Sequence, residues 1–173
     1  MGPPSGGSAN VGPHIRRFEA LRRLRAFLRL PYSDRRALLA YAAWFPIAAL
    51  ALRLVGYRRL VERLGSSPPR SRRSPEEEVT HSLRTARLVD IAAHHGPWPA
   101  NCLQRSLVLG RALRRQGIPS VIRLGVRRAP GANGYNFHAW VELGDKVLND
   151  HPRIAHEFAP LRDEALPPDA RLV

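Results

Sequence analysis

Between Asn101 and Asp150 the apolar rhythm of the chain changes once, and that change constrains the fold more than any other feature. Residues 102–115 set Leu103, Leu107, Leu109 or Gly110, and Leu113 along one side of a helix. Asn101 supplies its cap, and Gly117 with Pro119 stops it. Beyond Gly117 the period falls to two. Residues 120–128 (SVIRLGVRR) are β-branched and alternating, while 137–143 (FHAWVEL) and 146–150 (KVLND) flank Gly144-Asp145 as a hairpin. A helix handing over to antiparallel strands predicts an α+β domain, with the helix packed on the sheet.

Upstream, the pattern is helical. Ile15, Phe18, Leu21, Leu24 and Leu28 fall at three- and four-residue steps on an arginine-rich segment, 15–30, that Pro31 ends. A second helix is predicted from near Arg35 to Val55, kinked near Pro46 and stopped by Gly56; a third covers 57–64. Residues 66–78 (SSPPRSRRSPEEE) have no apolar side chain and read as an exposed linker closing on a helix start, Ser74-Pro75-Glu76-Glu77. The helix that follows, 76–94, is expected to turn Val79, Leu83, Ala86, Leu88 and Ile91 inward. These readings divide the chain into a disordered N-terminus (1–14), a helical segment (15–65), a linker (66–75) and a second part, 76–173.

Charge and cysteine content narrow the functional classes. Lys plus Arg number 28 against 14 acidic residues, a formal net charge of +14, and all but Lys146 are arginines. Such a balance raises nucleic acid, an anionic membrane or an acidic peptide as partners, against the plainer reading of solvated arginines. No nucleic-acid motif accompanies the charge, so that partner is set aside. The uncharged stretch 37–52, interrupted by Pro46, falls short of the ~20 residues that span a bilayer. It reads as a buried or interface helix, and membrane association is not favoured. No secretory signal opens the chain, and one cysteine allows no intrachain disulfide; both fit a reducing, cytoplasmic setting.

That cysteine is Cys102, in the first turn of the capped helix. There the free N–H groups and the helix dipole favour an anion, which can lower a thiol pKa from about 8.5 into the range of about 3.5–7.5 when a histidine assists. The same N–H groups could hold an oxyanion. Of the seven histidines, His138 alone lies within a predicted strand, and a strand histidine is often merely structural. If the hairpin turn centres on Gly144, His138 faces Asp150 across the ladder, and a carboxylate there would orient the imidazole. A two-residue turn would shift the register by one, place Ala139 opposite Asp150, and bring Asn149 or His151 into consideration. Trp98 and Trp140 are candidate walls near the site, with core packing as the plainer role. The pair His94-His95 has no second ligand cluster and reads as a loop rather than a metal site.

Taken in order, Cys102-Leu103-X-Arg105-Ser106-Leu107, Gly117, Leu124-Gly125-Val126, His138-Ala139-Trp140-Val141-Glu142 and Asn149-Asp150 resemble the lasso peptide biosynthesis B proteins, transglutaminase-like cysteine proteases. The resemblance covers roughly 76–163, and 20–64 also looks like that family's N-terminal part. It implies a transglutaminase-like, papain-like core with an N-terminal helical extension, in which Cys102 is the nucleophile, His138 the general base and acid, and Asp150 the orienting carboxylate. It implies removal of a leader peptide from a ribosomal precursor through a Cys102 thioester, with no cofactor. No β-rich module precedes residue 20, so the split form is expected, served by a separate leader-recognition protein and followed by an ATP-dependent cyclase. Two other readings stay open: transglutaminase-type acyl transfer to an amine, and a non-enzymatic basic binding module using 15–30 and 66–73.

Overall fold

The computed structural model describes residues 21–22, 24–65, 71–128 and 134–161. The disordered N-terminus expected at 1–14 and the first half of the expected linker, 66–70, lie outside the described residues. The chain divides into two compact units at Arg36 and Ala37. In the first, residues 24–29 are helical with Leu24 and Leu28 exposed, and the Arg36 guanidinium stands 5.7 Å from the Tyr32 ring.

Helix α1 (Tyr32–Val55) begins earlier than expected and carries Pro46 inside it. Only Leu38 and Phe45 along it are buried, so of the two expected roles, buried or interface helix, burial fails over most of its length. Its outer side is apolar, with Leu39, Ile47, Leu50 and Leu54 exposed. The helix absorbs Arg35, Arg36 and Arg53 at its ends. The length argument against a membrane span therefore lapses, because the whole element is long and apolar enough to cross one. Helix α2 (Tyr57–Gly65) follows after Gly56.

Helix α3 (Pro75–His95) starts as the sequence predicts. The Ser74 hydroxyl accepts the Glu77 N–H and the Glu77 carboxylate accepts the Ser74 N–H. Its inner side is partly rotated from the expected one: Ala86 and Leu88 are buried as expected, Ser82, Thr85, Val89 and Ala92 join them, and Leu83 is exposed. Small residues on that side allow close approach to a neighbouring helix, and Thr85 exchanges hydrogen bonds with Gln116. The end of the expected linker is not free either. Ser71 N–H and the Arg73 guanidinium donate to the carbonyls of Gly117 and Gln116.

Helix α4 (Cys102–Arg115) is the central element. It closes as the sequence requires, with Gly117 at φ 76° and the N–H groups of Ile118 and Gly117 bonded to the carbonyls of Leu113 and Arg114. That reciprocal pair satisfies the last carbonyls of the helix and needs the left-handed residue between them. The sheet beside it is β1 (Val121–Arg128), β2 (Tyr135–Leu143), β3 (Lys146–Val147) and β4 (Ala159–Pro160), in the order β3-β2-β1-β4. The three adjacent pairs are antiparallel. A short helix, α5 (Ile154–Glu157), precedes β4.

Leu103 and Leu107 of α4 bury against Leu124 and Ala139 of the sheet, and Leu52, Tyr57, Leu60 and Val61 pack on the same cluster. Leu109, Leu113, Ile118 and Val141 are wholly inaccessible. Each such side chain contributes about 1.5–3 kcal/mol on burial. The helical residues from 52 to 61 and the strands therefore share one core, so α4 is fixed on both sides and its N-terminus cannot drift from β2.

Candidate active site

The start of α4 is built around its cap. Asn101 is extended (φ −82°, ψ 173°), its side-chain oxygen accepts the Gln104 N–H at 2.9 Å, and Gln104 returns a bond to the Asn101 N–H at 3.2 Å. This reciprocal pair ties down the first turn and leaves the next residue, Cys102, at the helix mouth. Leu103, 1% exposed, anchors the turn in the core. The thiol is half-buried. Burial raises its pKa, but the His138 side chain, the Ala139 N–H, the charge on His138 and the Leu103 N–H together outweigh that and hold it below an ordinary thiol.

His138 lies on β2 opposite Gly125 of β1. Its Nε2 meets Asp150 Oδ2 at 2.6 Å, which leaves Nδ1 for the sulfur. The bond to Cys102 raises the imidazole pKa, burial opposes it, and the Asp150 bond with both neighbouring negative charges adds to the rise, so the net movement is above an ordinary histidine. The two shifts have a common cause, the contact between Cys102 and His138, and both move toward a thiolate beside an imidazolium. Sulfur, imidazole and carboxylate thus converge as the sequence anticipated.

The register that suggested the pairing does not hold. Glu142 pairs with Val147 and Leu143 with Lys146, so the turn has two residues, with Gly144 at φ 57°. A positive φ at the first central residue alone fits a type II′ hairpin. The centred turn on Gly144 is therefore corrected, and a continued ladder would have set Ala139 opposite Asp150. The ladder does not continue. After Val147 the chain bends, and the Asn149 side chain replaces a strand partner: its Oδ1 accepts the Val141 N–H at 2.8 Å, and its Nδ2 donates to Ser106 Oγ at 3.1 Å. Departure from the ladder brings Asp150 back to His138. Asp150 Oδ1 accepts the His151 N–H at 2.8 Å, which fixes the carboxylate's other oxygen. His151 itself is engaged elsewhere, 3.3 Å from Glu157.

Sequence reasoning assigned no role to three contributors. Ser106 is fully buried and receives Asn149, so α4 carries both Cys102 and the tether of the segment that bears Asp150. Phe158 lies against the imidazole at 5.3 Å between centroids, with the stacked Trp140 at 6.4 Å. Gly125 makes room for both rings, since a Cβ there would stand 2.6 Å from Phe158 and 2.9 Å from Trp140. The repeated apolar residues after Asp150 were a signal for Phe158; Ser106 and Gly125 stood in the motif set, but nothing local gave their contacts. Trp140 is buried with its N–H bonded to Glu142 at 2.7 Å, and Arg123 holds that carboxylate's other oxygen. It serves as wall and core together. Trp98 is 53% exposed, and the rings against His138 are Trp140 and Phe158. His94 bonds the Asp90 carbonyl, and Asp90 pairs with Arg105 of α4. Among the described residues no group of three or more His, Cys, Asp or Glu side chains could hold a metal ion.

Comparison with known proteins points the same way. Residues 42–163 match the family model of the transglutaminase-like superfamily. Over 75 residues the chain is 29% identical to the microcin J25-processing protein McjB of Escherichia coli, a match that covers 43% of this chain and 34% of the relative. The chain thus matches about a third of that relative's length. No solved structure matches the chain.

Proposed function

The chain belongs to the transglutaminase-like superfamily, and we propose that within it this protein is a cysteine peptidase that removes the leader from a ribosomally made lasso peptide precursor. The observation that carries the reading is the Cys102–His138–Asp150 relay, whose carboxylate holds the imidazole at 2.6 Å while the thiol is held below its ordinary pKa. The likeness to a microcin J25-processing protein supports a peptide as the substrate.

In the proposed reaction the Cys102 thiolate adds to the carbonyl carbon of the leader–core bond. The oxyanion forms at the mouth of α4, where the helix dipole favours negative charge. His138 gives its proton to the departing amine, the C–N bond breaks, and the leader remains as a thioester on Cys102. Neutral His138 then takes a proton from water, the hydroxide displaces the sulfur, and the leader leaves as a carboxylate. Asp150 stays ionised throughout, fixing the ring and stabilising the imidazolium. The freed core amine would pass to an ATP-dependent cyclase, and a separate protein would recognise the leader.

The test is cleavage of a precursor supplied with its recognition protein. Wild-type protein should yield a leader fragment heavier by one water, whereas Cys102→Ala should yield none. A fragment carrying an added amine would assign acyl transfer instead, and persistent cleavage by Cys102→Ala would remove the nucleophile from the scheme.

A further inference from the structure

A second concave surface lies on the far half of α4. A cavity of about 400 Å³ opens between α1, α2 and α4, with Trp44, Ile47, Ala51 and Leu60 among its apolar walls and Arg111 and Arg115 at its polar side. Its size falls within the range of sites that seat a ligand or a few side chains. Arg111 begins nine residues along α4 from Cys102, about 13 Å away by helical rise, so this is not the catalytic site.

Two features of the arginines are unresolved within the chain itself. The Arg111 guanidinium lies 3.6 Å over the Trp44 ring, yet its buried Nε has no hydrogen-bond partner. Burial, and then the like charge of Arg115, both disfavour the charged form of Arg111. A carboxylate entering the cavity would relieve both: it would accept from the Nε, and its charge would offset the burial of the guanidinium and the nearby Arg115. The apolar surface also runs past the cavity rim. Ile47 is 48% exposed while lining it, and Leu50 and Leu54 continue along the same helix at 56% and 75%. A small metabolite would leave that strip bare, and a flat bilayer surface would not fill the concavity.

We infer that this groove docks a peptide segment of another polypeptide, one that presents large apolar side chains with an Asp or Glu within a helical turn of them. The mode is that of a helix or short strand seated on an apolar groove and oriented by a charged pair. The inference goes beyond the peptidase reading and stands without it.

The test is selection from a displayed library of random peptides of about twelve residues on the full-length protein, in parallel on Arg111→Gln/Arg115→Gln and on Ala51→Trp, which fills the groove and keeps the charges. Melting temperature and the rate of Cys102 alkylation by iodoacetamide certify that each variant is folded. Arg87→Glu, at an exposed position on α3, serves as the charge control. Wild type and the Arg87 variant should enrich Leu, Ile, Phe or Trp spaced three or four residues from Asp or Glu. A synthesised hit should bind the double-arginine variant and the filled variant at least about tenfold more weakly. Equal enrichment on the double variant would assign the acid preference to overall charge and overturn the inference, as would selection without an acidic–apolar pattern. Self-association, or binding to phosphatidylserine vesicles, that Ala51→Trp abolishes would give the groove a different occupant and equally overturn it.

Discussion

Replacing Asp150 with asparagine isolates what the carboxylate contributes, because the amide keeps the shape and loses the charge. In the wild type both side chains are about a quarter exposed, 25% for His138 and 24% for Asp150, and sit 2.6 Å apart. A hydrogen bond to a charged partner contributes about 1.5–3 kcal/mol against about 0.5–1.5 for a neutral one. The variant should therefore lose about 1–1.5 kcal/mol of support for the imidazolium. At 1.36 kcal/mol per pKa unit that is about one unit. The sign follows from the coupling: a less stable imidazolium lowers the His138 pKa and withdraws its help from the thiolate, so the Cys102 pKa rises. Alkylation by iodoacetamide reads the thiolate directly and needs no substrate. Its rate plotted against pH should show the Cys102 midpoint displaced upward by less than that one unit, because only part of the loss at His138 passes to the thiol, with the melting temperature changed little. A midpoint left where it was would refute the claim that Asp150 acts on the thiol through His138.

Other outcomes follow from the same geometry. The cleavage rate of the wild type should trace a bell against pH. Its acid limb, set by Cys102, should lie below the ordinary thiol range, and its alkaline limb, set by His138, above the ordinary imidazole value. Asn149→Ala strips the buried Val141 N–H of its acceptor and should cost about 1–3 kcal/mol in a denaturation experiment. It should also lower kcat more than it raises KM and move the alkylation midpoint, which a merely structural lesion would not do. Gly125→Ala forces a methyl group against Phe158 and Trp140 and should destabilise by about 1–3 kcal/mol, measured by chemical denaturation.

How far the sequence led depended on how local each determinant was. The start of α4 was readable because Asn101 and Gln104 cap it within three residues, and its end because Gly117 must take a positive φ. The α+β character followed from the switch in period at that glycine. Cys102, His138 and Asp150 do come together, but the reasoning that linked the last two assumed a ladder that ends early. Residues 148–150 are placed by the Asn149 side chain bridging β2 to Ser106, a contact across 43 residues for Ser106 that no local pattern announces. The rotation of α3 escaped notice for a related reason. Ser82 and Thr85 look polar in sequence but are the residues small enough, or well enough bonded, to face inward. Helix α1 misled through its composition, since an uncharged stretch suggests burial, and here much of it remains uncovered.

The strap that backs the His138 imidazole has a slender main-chain attachment. Phe158 reaches His138 from a segment joined to β1 by the pairs Gly125–Pro160 and Val126–Ala159, with the Leu161 N–H on the Leu124 carbonyl just beyond. A further hold is the packing of Phe158 with Trp140 and Ile154. The setting of the ring therefore depends on the rim of the sheet as well as on Asp150 and Cys102, through residues outside that trio.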